Sequence, residues 1–264
     1  MKKYIWVACL LAGALGYVSL GAVTPIAQTP AAQPAPPTAN NKTIMFVAGN
    51  SNGTSQPGES IGEKFLIDHL KSLGFTVNVV SDGTAKEELL AKAAASALVM
   101  IGESTTSGRI TNKLYTTPKT IFSTESFLQD DFGLTAGGRG ADPGVPPDQP
   151  FGVKDQVTEL DIVDPASPLA AGLRGTVKVY KEPKEMNWGM VDGDAHVVAT
   201  LAGEKRGAVI YYVKKGGMMH DGTKALGTRL QFFIEDDNVT GTPNLMTAEG
   251  MKLFDAALNW SLVN

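Results

Sequence analysis

Two neighbouring stretches decide the fold that the sequence predicts: "ALVMIGES" at residues 97–104 and "KTIFSTES" at residues 119–126. The first is continuously apolar up to its Gly-Glu-Ser end, which is typical of a strand buried on both faces. The second is a shorter apolar run that leads into Ser-Thr-Glu. Residues 107–117, between them, carry a weaker helical pattern. A strand, a helix and a strand in this order predict a parallel pair with a right-handed crossover.

The same alternation continues on both sides of these stretches. Upstream, strand patterns at residues 42–50 and 75–82 alternate with helical patterns at residues 59–74 and 85–96. Downstream, five further strands and a final helix are predicted at residues 158–164, 175–183, 195–202, 207–216, 228–236 and 247–264. We therefore expect an α/β fold with a doubly wound, mainly parallel sheet flanked by helices, of the flavodoxin-like type. An amphipathic helix is also expected directly after Glu125.

The two ends of the chain predict three regions. Lys2 and Lys3 precede an apolar run, which is typical of an export signal over residues 1–22. Residues 23–41 are rich in Pro and Ala and predict a linker. Residues 42–264 suit a single α/β domain. The sequence thus predicts a periplasmic or secreted protein, with an uncleaved membrane anchor as the alternative.

Composition and motifs exclude several classes of function. Cys9 is the only cysteine of the 264 residues and lies in the predicted signal, so a thiol mechanism and a cysteine zinc site are excluded. The net charge of −4, with no basic cluster, argues against nucleic acid as a partner. Gly138 and Gly140 follow no predicted strand and form no dinucleotide fingerprint. We expect no cofactor, no metal and no membrane contact beyond the signal segment, and the sequence leaves the oligomeric state open.

Polar side chains follow several of the predicted strands. In a parallel sheet, ligands bind outside the carboxyl ends of the strands, where the loops converge. The candidate site residues at or near such ends are Asn50, Glu103, Ser104, Glu125, Trp188, His220 and Arg229.

Each of these candidates also has a structural alternative. A carboxylate at a helix start is stabilised in its charged form, so Glu125 either meets a ligand or has a structural role, in which it caps its helix or pairs with Arg229. Ser104 lacks the G-x-S-x-G spacing of a nucleophile elbow, and its hydroxyl-rich surroundings are typical of a turn. His220 is either a site residue or an exposed loop histidine. Trp188 is either a stacking platform for a sugar ring or part of the core.

A succession of short runs carries a family resemblance: a first strand ending in Gly-Asn, then "ALVMIGES", "KTIFSTESFLQDDFGL", "DIVDPASPLAAGL", "MNWGMVDGDAHVVATLA", "GAVIYYVKKGGMMH" and "GMKLFDAALNW". Together they resemble the trehalose-utilisation (ThuA-like) group of the class I glutamine-amidotransferase-like superfamily. In that superfamily the fourth strand ends at an elbow with a nucleophilic cysteine. The matching position is Glu125, so the resemblance implies that the chain is not an amidotransferase. It also implies an association with sugar metabolism and a histidine after a later strand, where this chain has His220.

Three functions are open on the sequence alone. The first is an exported domain that binds or processes a carbohydrate or related small polar ligand at the C-terminal ends of the parallel strands. The second is a hydrolase of an ester, lactone or glycosidic bond that uses Glu125 and His220. The third is a non-catalytic interaction module of the cell envelope. The hydrolase hypothesis predicts that Glu125 and Ser104 lie within about 10 Å of each other, and that His220 reaches the same cleft with Arg229 as a counter-charge.

Overall fold

The computed structural model of the protein describes residues 42–50, 56–137, 150–235 and 242–264. The predicted signal segment and linker, together with Gly138 and Gly140, lie outside the described residues. All described residues belong to one compact unit of the chain.

Within the described part of the chain, eleven strands form one sheet: β1 (Thr43–Ala48), β2 (Thr76–Ser81), β3 (Leu98–Ile101), β4 (Ile121–Ser123), β5 (Phe151–Val157), β6 (Glu159–Ile162), β7 (Gly175–Lys178), β8 (Lys184–Gly189), β9 (His196–Leu201), β10 (Glu204–Val213) and β11 (Arg229–Phe232). The α-helices are α1 (Ile61–Ser72), α2 (Lys86–Ala95), α3 (Ser107–Ile110) and α4 (Ala248–Ser261). Short 3₁₀ helices cover Ser126–Leu128, Pro168–Ala170 and Thr242–Leu245.

Local sequence signals explain where the two longest helices begin and end. The Ser60 hydroxyl accepts a hydrogen bond from the Glu63 N–H at the start of α1, and the predicted Thr247 cap accepts from the Gly250 N–H at the start of α4. Each bond satisfies a backbone donor that has no partner inside the helix. Gly74 follows α1 with a φ of 87°, a conformation that costs glycine little.

The sheet has a parallel half and an antiparallel half. Its order is β2-β1-β3-β4-β11-β10-β9-β6-β7, with β8 paired to β10 and β5 outside this path. The strands β2, β1, β3, β4 and β11 run parallel to one another, whereas β10 is antiparallel to β11 and every pair beyond it is antiparallel. The connection from β9 to β10 is only two residues long, and so short a link can join only antiparallel strands. The fold is therefore α/β with a mixed sheet.

The core lies on both faces of this sheet. One apolar cluster joins α1 and α4 to one face, and it includes Phe46, Phe122, Phe232 and Phe254. A second cluster joins α2 and α3 to the other face through Leu89, Ala93 and Ile110. Helices thus cover both faces of the parallel half. None of the helices among the described residues combines the length and apolar character needed to cross a bilayer.

Three local expectations were wrong. The helix expected after Glu125 is only the 3₁₀ turn Ser126–Leu128, because Leu128, Phe132 and Leu134 reach the second apolar cluster from an irregular segment. The helix expected over residues 107–117 shortens to α3, which is followed by turns. The sequence reasoning also missed β5 and β8, the two strands that form the side branch of the sheet.

Candidate functional site

The carboxyl ends of β1, β2, β3 and β4 meet at one edge of the sheet, which we call the carboxyl edge. The order β2-β1-β3-β4 makes the gap between β1 and β3 the point where the chain winds in opposite directions. Open α/β sheets bind ligands at such switch points. The polar side chains that follow these strand ends are Asn50, Asp82, Glu103, Ser104 and Glu125.

Ser104 joins β1 to β3 and α1 at this edge. Its hydroxyl accepts a hydrogen bond from the Gly49 N–H at 2.9 Å and donates to Glu63 Oε1 at 2.6 Å. The Ser104 N–H donates to the same Glu63 oxygen at 3.1 Å. Only 1% of Ser104 is exposed. The residue therefore ties together three buried elements and does not offer its hydroxyl to a substrate, so the catalytic role predicted for Ser104 is wrong.

Two glycines allow these elements to approach closely. A Cβ atom on Gly49 would lie 2.1 Å from the Ser104 carbonyl oxygen and 2.9 Å from Asp82 Oδ2. A Cβ atom on Gly102 would lie 2.3 Å from Glu63 Oε1. The floor between β1 and β3 is thus backbone, and larger residues would separate the two strand ends.

Asp82 and Arg109 form the β2 side of the carboxyl edge. Asp82 is fully buried, and its carboxylate accepts from the Thr106 N–H at 2.9 Å and from Arg109 Nη1 at 3.3 Å. The Arg109 side chain is 52% exposed. Its Nη1 also lies 3.5 Å from Asn50 Oδ1, at the outer limit of a hydrogen bond. A buried carboxylate therefore orients a half-exposed guanidinium beside Asn50, which is itself exposed.

Glu125 lies at the turn after β4 and is only 2% exposed. Its carboxylate accepts a hydrogen bond from the Phe127 N–H at 3.0 Å, which caps the 3₁₀ turn. The capping alternative thus describes the observed contact. The ion pair with Arg229 that was part of the same alternative is absent among the described residues, for a reason given below.

The elbow at Glu125 is held from behind by two buried amides. Gln231 Nε2 donates to the Glu125 carbonyl oxygen and to Asn187 Oδ1, both at 3.2 Å. Asn187 Nδ2 lies within hydrogen-bonding distance of the carbonyl oxygens of Thr124 (3.0 Å), Phe232 (2.9 Å) and Ile234 (2.6 Å), which share its two N–H groups. One side chain from β8 thereby binds carbonyl groups that follow β4 and end β11.

The segment after the elbow is held in a similar way. Gln129 Nε2 donates to the carbonyl oxygens of Ser126 (2.9 Å) and Trp188 (3.2 Å), and Gln129 Oε1 accepts from the Tyr211 hydroxyl. Burial raises the pKa of Tyr211 well above its ordinary value, so the hydroxyl stays protonated and remains a donor. Gly189 must lack a side chain here, since a Cβ atom would lie 2.3 Å from Gln129 Oε1.

Two glutamates follow the paired strands β3 and β4. The register ends where Ile101 pairs with Ser123 and the Thr124 N–H donates to the Ile101 carbonyl oxygen. Glu103 lies in the turn closed by the bond from the Thr105 N–H to the Gly102 carbonyl oxygen, and Glu125 lies in the turn after β4. Glu103 is half-buried, whereas Glu125 is buried.

Arg229 lies at the opposite, amino edge of the sheet. It pairs with Ile121 at the start of β4, so the length of both strands separates it from Glu125. Its guanidinium is 1% exposed and donates to four backbone carbonyls, those of Tyr115 (2.9 Å), Thr117 (2.8 Å), Lys119 (3.0 Å) and Thr228 (3.2 Å). Burial lowers the pKa of Arg229 to about 10, which leaves it charged at neutral pH. The ligand-binding and counter-charge roles predicted for Arg229 are therefore wrong.

His220 also extends from the amino edge. It follows β10, whose last residue Val213 pairs with Arg229 at the start of β11. Its Nδ1 lies 2.8 Å from Asp192 Oδ1 in the connection between β8 and β9. The predicted catalytic pair of Glu125 and His220 is wrong, because β10 runs antiparallel to β11 and carries its following loop away from the carboxyl edge.

The loop around His220 is closed by a second polar contact. The Tyr115 hydroxyl donates to Asp221 Oδ2 at 2.6 Å. Burial and this hydrogen bond raise the pKa of Tyr115. Burial of Asp221 favours its protonated form, but hydrogen bonds from Tyr115 and Thr223 outweigh it and lower the pKa of the Asp221 carboxyl. The cluster joins the β10–β11 hairpin to the chain before β4.

Trp188 is fully buried in the first apolar cluster. An indole with no exposed surface cannot stack on a sugar ring, so the platform predicted for Trp188 is wrong and its core alternative holds. Its neighbour Asn187 contacts the carboxyl edge, through the Thr124 carbonyl oxygen.

Sequence reasoning missed several residues of the carboxyl edge: Glu63, Asp82, Arg109, Asn187 and Gln231. Asp82 was detectable, since it follows a predicted strand as Asn50 and Glu103 do. Glu63 and Arg109 lie in stretches with a helical pattern, and Asn187 lies in β8, a strand that the sequence reasoning missed. The contacts of these residues and of Gln231 join positions 27 to 106 residues apart in the chain, which no local pattern shows.

Open cavities lie elsewhere on the described surface. One of about 440 Å³ is lined by residues 154–159 and 201–204, and one of about 600 Å³ lies between α2, β1 and β2. Neither is lined by Glu103, Ser104 or Glu125. The carboxyl edge is therefore identified by the strand order and not by a cavity. Among the described residues, no group of three or more His, Cys, Asp or Glu side chains could hold a metal ion.

Comparison with known proteins gives structural similarities at low identity. The chain is similar to the crystal structure of a ThuA-like protein from Bacteroides uniformis ATCC 8492, with 11% identity, a TM-score of 0.45, and coverage of 86% of this chain and 94% of that one. It is also similar to a β-galactosidase from Bifidobacterium adolescentis, with 13% identity, a TM-score of 0.25, and coverage of 83% and 98%. The first agrees with the ThuA-like resemblance drawn from the sequence. No family model and no curated protein matches the chain.

Proposed function

We propose that the chain is a domain that binds a carbohydrate or a chemically similar small polar ligand at the carboxyl edge. The observation that carries the proposal is the meeting of Asn50 and Arg109 at the carboxyl edge, where Arg109 Nη1 lies 3.5 Å from Asn50 Oδ1. Both residues are exposed, the half-buried Glu103 follows β3 at the same edge, and Ser104 and Asp82 are buried.

The chemistry of these groups suits neighbouring hydroxyls. An amide, a guanidinium and a carboxylate are planar, and each presents two donors or acceptors side by side. A diol has two oxygens at a similar spacing, and each hydroxyl both donates and accepts. Sites for small ligands use a few such polar groups held in place by buried neighbours. The resemblance to the trehalose-utilisation group makes carbohydrates the first class to test.

Binding without hydrolysis is the better-supported form of this proposal. A hydrolase needs an acid and a base that meet at one scissile bond. The carboxyl edge has no histidine among the described residues, and the Ser104 hydroxyl donates to Glu63 in a buried position. A purely structural role in the envelope would not explain why the polar side chains of Arg109 and Asn50 are exposed at the switch point.

The proposal includes the location and class of the domain. Export to the periplasm or the medium is supported by the charged and apolar start of the chain. A class I glutamine-amidotransferase-like fold is supported by helices on both faces of the parallel half and by the sharp turn after β4. The antiparallel strands β10, β9, β6 and β7 would then be an elaboration of that fold.

A thermal-shift screen of the full chain against mono- and disaccharides, sugar acids and lactones tests the binding proposal, because a ligand of the folded state raises the melting temperature. We expect a hit to lose at least half of its shift in an Asn50→Ala, Glu103→Gln double variant. Glu249→Gln, an acidic residue in the first turn of α4, is the control and should keep the full shift. A double variant that binds as well as the parent chain would contradict a site at this edge.

A further inference from the structure

The carboxyl edge has opposite charges on its two sides. On the β2 side, Arg109 and Lys113 lie around a single buried carboxylate, that of Asp82. Lys113 Nζ donates to the carbonyl oxygens of Asp82 (3.3 Å) and Thr84 (3.1 Å) and not to a carboxylate. The β2 side thus carries two cations and one anion. Glu103 and Glu125 follow β3 and β4, and Glu63 of α1 accepts from the Ser104 hydroxyl.

Arg109 is presented in a way that suits an anion. Only Nη1 of its guanidinium donates to described residues, namely to Asp82 and Asn50. Its Nε and Nη2 atoms donate to none of the described residues, and 52% of the side chain is exposed. A guanidinium has five N–H donors in a rigid plane, so one edge remains for a bidentate contact with an oxyanion.

Asp82 fixes this presentation. It is fully buried, and its second oxygen accepts from the Thr106 N–H, so the carboxylate cannot turn away from Arg109. An arginine held in one orientation loses less side-chain entropy on binding than a free one. Asp82, the partner of Arg109, is fully buried, whereas Glu204, whose Oε1 lies 3.7 Å from Arg206 Nε, has a side chain that is 32% exposed.

None of the three glutamates is an acceptor in the contacts of the Arg109 guanidinium with described residues, which are with Asp82 and Asn50. Glu63 accepts from the Ser104 N–H and hydroxyl, and Glu125 accepts from the Phe127 N–H. Both are buried and directed into the protein. Glu103, the residue before Ser104, is half-buried. The described cations at this edge are therefore those of the β2 side, Arg109 and Lys113.

We infer that the ligand of the carboxyl edge is an anionic carbohydrate, bound through its carboxylate or phosphate group by Arg109. This inference rests on the proposed carbohydrate-binding function and specifies the chemical class of the ligand. Neutral sugars then bind more weakly than their charged counterparts, because they leave the oriented guanidinium without an anion.

The experiment compares matched ligands on the full chain by isothermal titration calorimetry. Glucose, glucuronate and glucose 6-phosphate share one ring and differ in charge, and their two anionic members separate a carboxylate from a phosphate. We expect at least one anion to bind about tenfold or more tightly than glucose. Arg109→Gln should abolish that preference, so that glucose and both anions bind with similar affinity. Arg206→Gln, whose parent side chain is 54% exposed, is the matched control and should change neither.

The outcomes separate the two proposals. Preference for either anion, lost in Arg109→Gln and kept in Arg206→Gln, supports the inference and identifies the anionic group. Equal binding of glucose and both anions, unaffected by Arg109→Gln, overturns the inference and leaves carbohydrate binding intact. An anion preference that survives in Arg109→Gln also overturns it, because another cation would then be responsible. Absence of binding by all three ligands and by the sugars of the wider screen contradicts both proposals.

Discussion

Two arginines at opposite edges of one sheet have opposite roles. Arg229, at the amino edge, is buried and donates to four backbone carbonyls of the loops that enter β4 and β11. Arg109, at the carboxyl edge, is half-exposed and is held by one buried carboxylate. Arg229 holds backbone loops together. Arg109 faces solvent, and its Nε and Nη2 atoms donate to none of the described residues.

The same contrast holds for the other polar residues of the two edges. At the amino edge, His220 and Tyr115 pair with Asp192 and Asp221 and join one loop to another. At the carboxyl edge, buried groups such as Ser104 support exposed ones such as Asn50. A residue type that suggests chemistry in the sequence is thus informative only when the edge it occupies is known.

The largest effect is expected at Arg229. Arg229→Met fills a similar volume but leaves four buried carbonyl oxygens without their donor. A buried acceptor without a hydrogen bond lowers the free energy of unfolding. We expect the free energy of unfolding to fall by about 3 kcal/mol or more. Urea unfolding followed by circular dichroism measures this change. The surface variant Arg206→Gln should stay within about 0.5 kcal/mol of the parent. A loss as small as that in Arg229→Met would show that the amino edge does not depend on this residue.

An intermediate effect is expected at Asn187, which connects the elbow to the parallel half. Asn187→Asp keeps the shape of the side chain but removes the N–H donors that reach Thr124, Phe232 and Ile234. We expect a loss of about 2 kcal/mol in unfolding free energy, accompanied by weaker ligand binding at the adjacent carboxyl edge. Glu185→Gln, on the same strand, is the comparison variant. If Asn187→Asp is as stable as the parent chain, the elbow at Glu125 does not depend on Asn187.

The smallest effect is expected at Asp164, which pairs with His196 at the amino edge at 2.7 Å. The hydrogen bond from His196 lowers the pKa of the Asp164 carboxyl despite some burial. Its contribution to stability is therefore present above the unfolded-state pKa of about 3.9 and disappears as the pH falls through the lower folded-state value. Asp164→Asn keeps the oxygen that accepts from the Ala166 N–H and loses the charge.

The pH dependence of melting checks this last expectation. Because both side chains of the pair are partly exposed, the parent chain should melt no more than about 2 °C above Asp164→Asn at pH 6. The difference should shrink as the pH falls below the unfolded-state pKa of about 3.9 and the folded-state carboxyl takes up its proton. A difference that grows on acidification would have the wrong sign for a depressed carboxyl pKa.

Much of the parallel half was predictable because its signals are local. The runs that became β1, β2 and β3 are short, apolar and separated by helices, and α1 and α4 begin at hydroxyl caps. Parallel strands joined by helices bring their carboxyl ends to one edge, so Asn50, Glu103 and Glu125 could be assigned to that edge from the sequence. Glu125 nevertheless proved to be a buried cap, since exposure depends on what packs over a turn.

Only the tertiary structure decided the rest. The strand pattern of β10 does not reveal whether its neighbour runs parallel or antiparallel, yet this choice carried His220 and Arg229 to the amino edge. The contacts of Asn187 with Thr124 and of Arg109 with Asp82 join residues that are distant in the chain. Hydrophobic periodicity records which face of an element is buried, whereas strand pairing and long-range hydrogen bonds depend on the packing of all elements together. For this chain the sequence determined which residues end the parallel strands, and the packing determined which of them face solvent.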